Sequence, residues 1–253
     1  MKTGSTVVLL VLIMGCSETS PPSWFTLNTE IKVLHKQGNY HAALEKAKQA
    51  LDVARDQYGE EHRFFASTLN NLALLHKRLG LYEMAETQYK QAIEIMKASL
   101  GDDHPALATL FNNLAAVYRD QERFNDAAPL FRKALAIYEE HHGANAPSVG
   151  VALVNLAGLY TRTQRYDDAE QLLTRARRVF DDAFLPNHPY SLAALNSLGD
   201  LRVAQGNYED ALPLYEEVLR VREYALPSDH PDLTAVLASI QELNKLRGKT
   251  GLR

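Results

Sequence analysis

The sequence predicts an all-α superhelical solenoid of about five helix pairs closed by one C-terminal helix, and three patterns predict it. His62, His104, His188 and His230 fall on a single 42-residue period, with Ala146 in the third slot. Tyr40, Tyr82, Phe124, Tyr166 and Tyr208 keep the same beat, as do Ala43, Ala85, Ala127, Ala169 and Ala211. Within each period, apolar residues recur at helical spacing. A unit of this kind buries its apolar face only against a neighbour, so the units must stack into one elongated body with a long concave wall. Such a shape suits binding better than chemistry.

Ahead of the repeats, residues 1–15 read as a signal peptide. Lys2 precedes an unbroken apolar run, Val7 to Met14, that closes in Gly15-Cys16. Eight residues fall far short of the roughly 20 that span a bilayer as a helix. Ile13-Met14-Gly15-Cys16 resembles a bacterial lipobox. The resemblance implies cleavage before Cys16, diacylation of its sulfur, and anchorage in the cell envelope with no spanning helix. Ser17, where aspartate would retain an enteric lipoprotein in the inner membrane, points to the outer membrane, facing the periplasm. Cys16 is the only cysteine, so the body has no disulfide and depends on helix packing. Residues 16–23, with Pro21-Pro22, read as the acylated cysteine and an extended tether. Residues 24–253 form the solenoid. Trp24 opens it, in an end-capping core position or at a membrane interface.

The first helix of each unit carries Leu69, Leu72, Ala73 and His76, then Phe111, Leu114, Ala115 and Tyr118, then Leu153, Leu156, Ala157 and Tyr160. This i, i+3, i+4, i+7 spacing marks a buried stripe, and alanine at its third place lets the paired helix approach. The second helix matches it with Ala85, Tyr89 and Ala92, Ala127, Phe131 and Ala134, Ala169, Leu173 and Ala176, and Ala211, Tyr215 and Val218. Gly38, Gly80 and Gly206 separate paired helices, and Gly59, Gly101 and Gly143 end second helices. Pro105, Pro147, Pro189 and Pro231 open first helices, where the missing N–H has no intrahelical partner to lose. Pro129 and Pro213 are expected within the first turn of second helices. Eleven helices result: five pairs from about Phe25 to Ala225, and a cap from about Asp232 to Leu246.

The unit resembles the tetratricopeptide repeat in the 42-residue variety of kinesin light chains. The match rests on Leu69-Asn70-Asn71-Leu72-Ala73, its echo Phe111-Asn112-Asn113-Leu114-Ala115, the turn Gly80-Leu81-Tyr82-Glu83-Met84-Ala85, and the joint Leu100-Gly101-Asp102-Asp103-His104-Pro105. It covers about nine-tenths of the chain and implies a right-handed α-α superhelix. In that family the first helices line the groove, and the asparagine before the Leu-Ala pair often bonds a bound peptide. The resemblance therefore implies peptide contacts for Asn71, Asn113 and Asn155, with Ser197 in the fourth place and Asn70, Asn112 and Asn196 alongside. An amide both donates and accepts, so a row of amides satisfies an extended backbone without reading its sequence. Two turns further on stand Lys77 and Arg78, Arg119 and Asp120, and Thr161 and Arg162. With Arg78, Arg119 and Arg162, the groove would suit an acidic segment or a terminal carboxylate, because arginine presents a planar donor fork. Asparagines bonded to one another, with arginines solvated at helix ends, are the alternative use of the same residues.

Composition bounds the rest. The 253 residues are 46% hydrophobic and 23% charged, with a formal net charge of −4. This is a globular balance with no broad attraction for nucleic acid or anionic lipid. The repeated histidines follow the register of the units, and His141-His142 reads as a solvated helix end. Neither H-E-x-x-H nor paired cysteines occur, so no metal or cofactor is expected. Glu60-Glu61, Asp102-Asp103, Asp167-Asp168 and Asp181-Asp182 lie near helix ends, as capping and exposure require. No nucleophile motif, phosphate loop or dinucleotide fingerprint appears, and an enzyme is not expected. The sequence points to a lipid-anchored scaffold or assembly factor that binds a protein or peptide and meets the membrane through its lipid alone. Self-association and non-catalytic control of an envelope enzyme are the other readings.

Overall fold

The computed structural model describes residues 22–185 and 187–250, and for Thr250 the backbone alone. The expected signal peptide, Cys16 and the expected tether up to Pro21 lie outside the described residues. The described residues form α1 (Trp24–Lys36), α2 (Tyr40–Tyr58), α3 (Arg63–Arg78), α4 (Tyr82–Leu100), α5 (Pro105–Asp120), α6 (Phe124–His142), α7 (Pro147–Arg162), α8 (Tyr166–Ala183), α9 (Pro189–Ala204), α10 (Tyr208–Ala225) and α11 (Pro231–Thr250). Consecutive helices pack as pairs, the first helices α1, α3, α5, α7 and α9 stack side by side, and α11 covers α10. The architecture is the expected all-α superhelix.

The repeated histidines start the helices. His62, His104 and His188 hold the extended backbone of an N-cap. Their Nδ1 atoms accept the amides of Phe64 at 3.1 Å, Ala106 at 3.1 Å and Tyr190 at 3.2 Å. His230 accepts from Asp232 at 3.1 Å. Each imidazole thus satisfies one of the amides that a helix start leaves without a partner. Ala146 has the same backbone and no capping side chain. Ser23, expected in the tether, caps α1 by accepting from the Thr26 amide at 3.2 Å.

Between helices, large side chains of the second helix enter gaps left by small ones on the first. Tyr89, Phe131 and Leu173 are fully buried against the row containing Ala73, Ala115 and Ala157. In the last pair Gly199 takes the alanine place, and a Cβ there would lie 2.6 Å from the Tyr215 ring. Trp24 is a core residue: it stacks on Phe64 at 4.3 Å, and its Nε1–H donates to Thr68 Oγ1 at 2.7 Å.

Two prolines depart from expectation. α6 starts at Phe124 and α10 at Tyr208, so Pro129 and Pro213 are each the sixth helical residue, beyond the first turn. Each helix forgoes one backbone hydrogen bond and continues, held by packing on both sides.

The two ends of the solenoid meet. With its Nδ1 occupied by the Asp232 amide, buried His230 donates through Nε2 to the Lys36 carbonyl at 3.0 Å. Pro231 lies against Gly38, where a Cβ would fall 2.4 Å from the proline Cδ. Gly38 also has φ of +74°, so this turn needs glycine for both its conformation and its contact. The start of α11 therefore rests on the α1–α2 turn, and the concave face is closed along one side.

Candidate functional site

The closure bounds a half-open chamber of about 800 Å³. The ends of α3 and α5 and longer stretches of α7 and α9 form its wall, and α10 and α11 complete it. Of the residues expected to bind a partner, Arg78, Arg119, Asn155, Arg162 and Asn196 line this chamber.

Asn71, Asn113 and Asn155 form a ladder between repeats. Asn71 Nδ2 donates to Asn28 Oδ1 at 2.7 Å, Asn113 to Asn70 at 3.1 Å, and Asn155 to Asn112 at 3.1 Å. The ladder ends at the next step, where Val154 and Ser197 hold the two places. Asn112 is buried, with its carbonyl taken by Asn155. Asn71 lies instead in a side cavity of about 200 Å³ with Ile31, Lys32 and His35. Each amide retains further bonding capacity, but one donor of Asn71, Asn113 and Asn155 already joins adjacent units.

The cations differ in their surroundings. Arg119 and Lys77 both reach Asp120, at 3.0 Å and 3.2 Å. Burial alone would raise the Asp120 carboxyl, but the charges of Arg119 and Lys77 outweigh it and hold Asp120 below the ordinary carboxylate range. The balance runs the other way at Lys77, where burial lowers the ammonium despite Asp120. Two cations facing one carboxylate reconcile the two directions. Arg162 reaches Glu122 at 2.7 Å. Arg78 lies over the Tyr40 ring, 5.9 Å from its centroid.

Sequence reasoning missed Asp200, Tyr215, Arg222 and Asp232, which also line the chamber. Asp200 accepts from Tyr215 Oη at 2.7 Å and Asn196 Nδ2 at 3.3 Å. The residue is exposed as a whole, yet burial of its carboxyl among the chamber walls pushes it up from its ordinary value, against the pull of Tyr215 and Arg119. A signal was present in the register: Asp200 stands where earlier units have Leu74, Ala116 and Gly158. Arg222 stands where they bury Ala54, Met96, Tyr138 and Phe180. Its Nη1 donates to the Asp232 carbonyl at 2.8 Å. Among the described residues, no cluster of three histidine, cysteine, aspartate or glutamate side chains could hold a metal ion.

Fold and chamber together define an α-solenoid with a partly enclosed concave face. The chain belongs to the tetratricopeptide-repeat family, whose family model matches residues 26–98, 64–140 and 148–223. No curated protein sequence matches it. Solved structures of similar fold include BtubC (BKLC) from P. vanneervenii, with TM-score 0.62, 21% identity, and coverage of 79% of this chain and 80% of that one. A Podosopora anserina chain of nearly identical TPR-like repeats, assigned as a kinesin light chain, has TM-score 0.58 and 20% identity, over 81% of this chain and 97% of that one. A Rap protein complexed with Competence and Sporulation Factor has TM-score 0.69 and 18% identity, over 90% of this chain and 65% of that one.

Proposed function

We propose that the chain is a bacterial envelope lipoprotein, anchored through Cys16 in the outer membrane and facing the periplasm, whose solenoid holds a protein or peptide partner as a scaffold or assembly factor. The observation that carries the binding reading is the chamber. Its volume of about 800 Å³ lies within the range of ligand sites, and four arginines face three aspartates among amide and apolar walls. An acidic segment or C-terminal carboxylate of the partner suits that excess of guanidinium groups. The similarity of fold to a Rap protein complexed with Competence and Sporulation Factor supports a ligand-holding solenoid. The lipobox-like residues and the single cysteine support the anchor.

The test is a crosslinking pull-down from native membranes with the full chain beside Arg119→Glu/Arg162→Glu. A partner held by the wild type and lost by the folded variant supports the chamber. A partner kept by both places binding elsewhere. Palmitate labelling that Cys16→Ala leaves intact would remove the anchor. A self-associating structural role is the second reading. It is favoured by Leu185 and Tyr224, 74% and 96% exposed, which share a surface cavity outside the chamber. Concentration-dependent mass that Tyr224→Ser abolishes would support it.

A further inference from the structure

Among the described residues, two of the four chamber guanidinium groups form no ion pair. Arg119 is paired with Asp120 and Arg162 with Glu122. No carboxylate of the described residues forms an ion pair with Arg78 or Arg222. These two come from the second and fifth helix pairs, and with the closing contact of His230 and Lys36 in place both line the chamber and feel each other's charge. Arg78 lies over the face of Tyr40, and Arg222 donates to a main-chain carbonyl.

Their juxtaposition has a physical consequence. Arg222 is half-buried, and both burial and the like charge of Arg78 disfavour its cation. The Asp232 carboxylate opposes this from beyond ion-pair range, and His35 and Tyr40 feel the same two charges. One aspartate against two guanidinium groups leaves this part of the chamber positive. A core register that holds Ala54, Met96, Tyr138 and Phe180 in earlier units carries arginine only in the last. That arginine costs the apolar burial its predecessors provide. An anion bridging the two forks would offset that cost, because each guanidinium offers paired donors to a carboxylate or phosphate.

We propose that Arg78 and Arg222 form an anion clamp at the seam of the solenoid, which takes one carboxylate or phosphate group of the ligand and thereby holds the two ends together. The clamp rests on the reading of the chamber as the partner site and adds where the anion sits and what it does to the seam. It differs from the groove expected from sequence, because half of it belongs to the last second helix.

The test measures binding and hydrogen exchange on the full chain with three probes: acetyl-pentaalanine with a free C-terminal carboxylate, the same peptide amidated, and inorganic phosphate. The clamp predicts that the free carboxylate binds and slows amide exchange around residues 36–41 and 229–234, whereas the amide does neither. Arg78→Met and Arg222→Met should each weaken binding about tenfold or more. Arg222→Lys, which keeps the charge and loses the fork, should also weaken it in a folded chain. Arg165→Met, which lies outside the chamber, should not. Phosphate protecting the same seam through the same two arginines would assign the anion as phosphate. Undiminished binding in Arg78→Met/Arg222→Met overturns the clamp, and if Arg119→Glu/Arg162→Glu still abolishes binding, the chamber reading survives. No seam protection by any anion also overturns it, whereas failure of the chamber reading shows separately as a native partner retained by Arg119→Glu/Arg162→Glu.

Discussion

Asn113 donates its side-chain amide to the Asn70 carbonyl at 3.1 Å, joining α5 to α3 across a repeat boundary. The two are 43 residues apart, one more than the repeat, so each bond runs from one asparagine of a unit to the other asparagine of the unit before. Asn113→Ala leaves the half-buried Asn70 carbonyl without this partner and should lower stability by about 1 kcal/mol. Where the ladder stops, Val154→Asn with Ser197→Asn should add a rung and recover a similar amount. Urea unfolding of both variants checks this. An Asn113→Ala chain as stable as wild type would mean that water replaces the rung at no cost.

The helix-starting histidines give a second expectation. His104→Ala removes the acceptor of the Ala106 amide and should cost about 1 kcal/mol. At Ala146 the backbone already has cap geometry, φ −71° and ψ 145°, with no capping side chain. Ala146→Ser should therefore stabilise by about 0.5–1 kcal/mol. Denaturant midpoints of the two variants should move in opposite directions, and a shared direction would rule out the capping account.

The turn between paired helices needs a left-handed residue, and glycine supplies it at positions 38, 80 and 206. Glu122 and Gln164 hold the same place with φ of 63° and 60°. Gln164→Gly relieves that conformation and should stabilise by about 1 kcal/mol, less the extra freedom glycine gives the unfolded chain. Glu122→Gly should gain less, since it also loses the contact with Arg162. Thermal melts of the pair resolve the two contributions.

The register was legible because its signals are local. Alanine rows, aromatic knobs, glycine turns and opening prolines each state a helix or its end, and the helices lie where they do. The caps were not foreseen, since histidine is outside the usual N-cap set, although its Nδ1 can accept as a short oxygen side chain does. Asn71 and Asn113 were placed on the correct helices, but their partners depend on how far one unit turns relative to the next. The chamber was half legible: Arg78, Arg119 and Arg162 were in view, while Arg222 and Asp232 join them only through the closing contact of His230 with Lys36. That contact follows from the accumulated rotation of five pairs, which no single residue encodes. The charge of Arg222 in a core register was the one trace of it.

Asp120 provides the pH test. Its folded pKa lies below the unfolded value of about 3.9, so the stability it contributes is fully present above that value and is lost as pH falls through the folded one. Lys77, lowered by burial, changes stability only on the alkaline side, toward lysine's ordinary range. Asp120→Asn leaves Arg119 and Lys77 facing an uncharged amide. With the carboxylate side chain 26% exposed, the penalty is well below that of a fully buried pair, about 1–2 kcal/mol at pH 7. As pH falls from the unfolded value through its depressed folded pKa, wild-type Asp120 becomes protonated and loses the same interaction. The stability gap between wild type and Asp120→Asn, from urea titrations between pH 7 and pH 3, should therefore hold steady down to about pH 5 and shrink only as pH falls below about 4. A gap that stays constant down to pH 3 would show that the contribution of Asp120 is hydrogen bonding or shape, and that its charge is not what holds Lys77 and Arg119 in place.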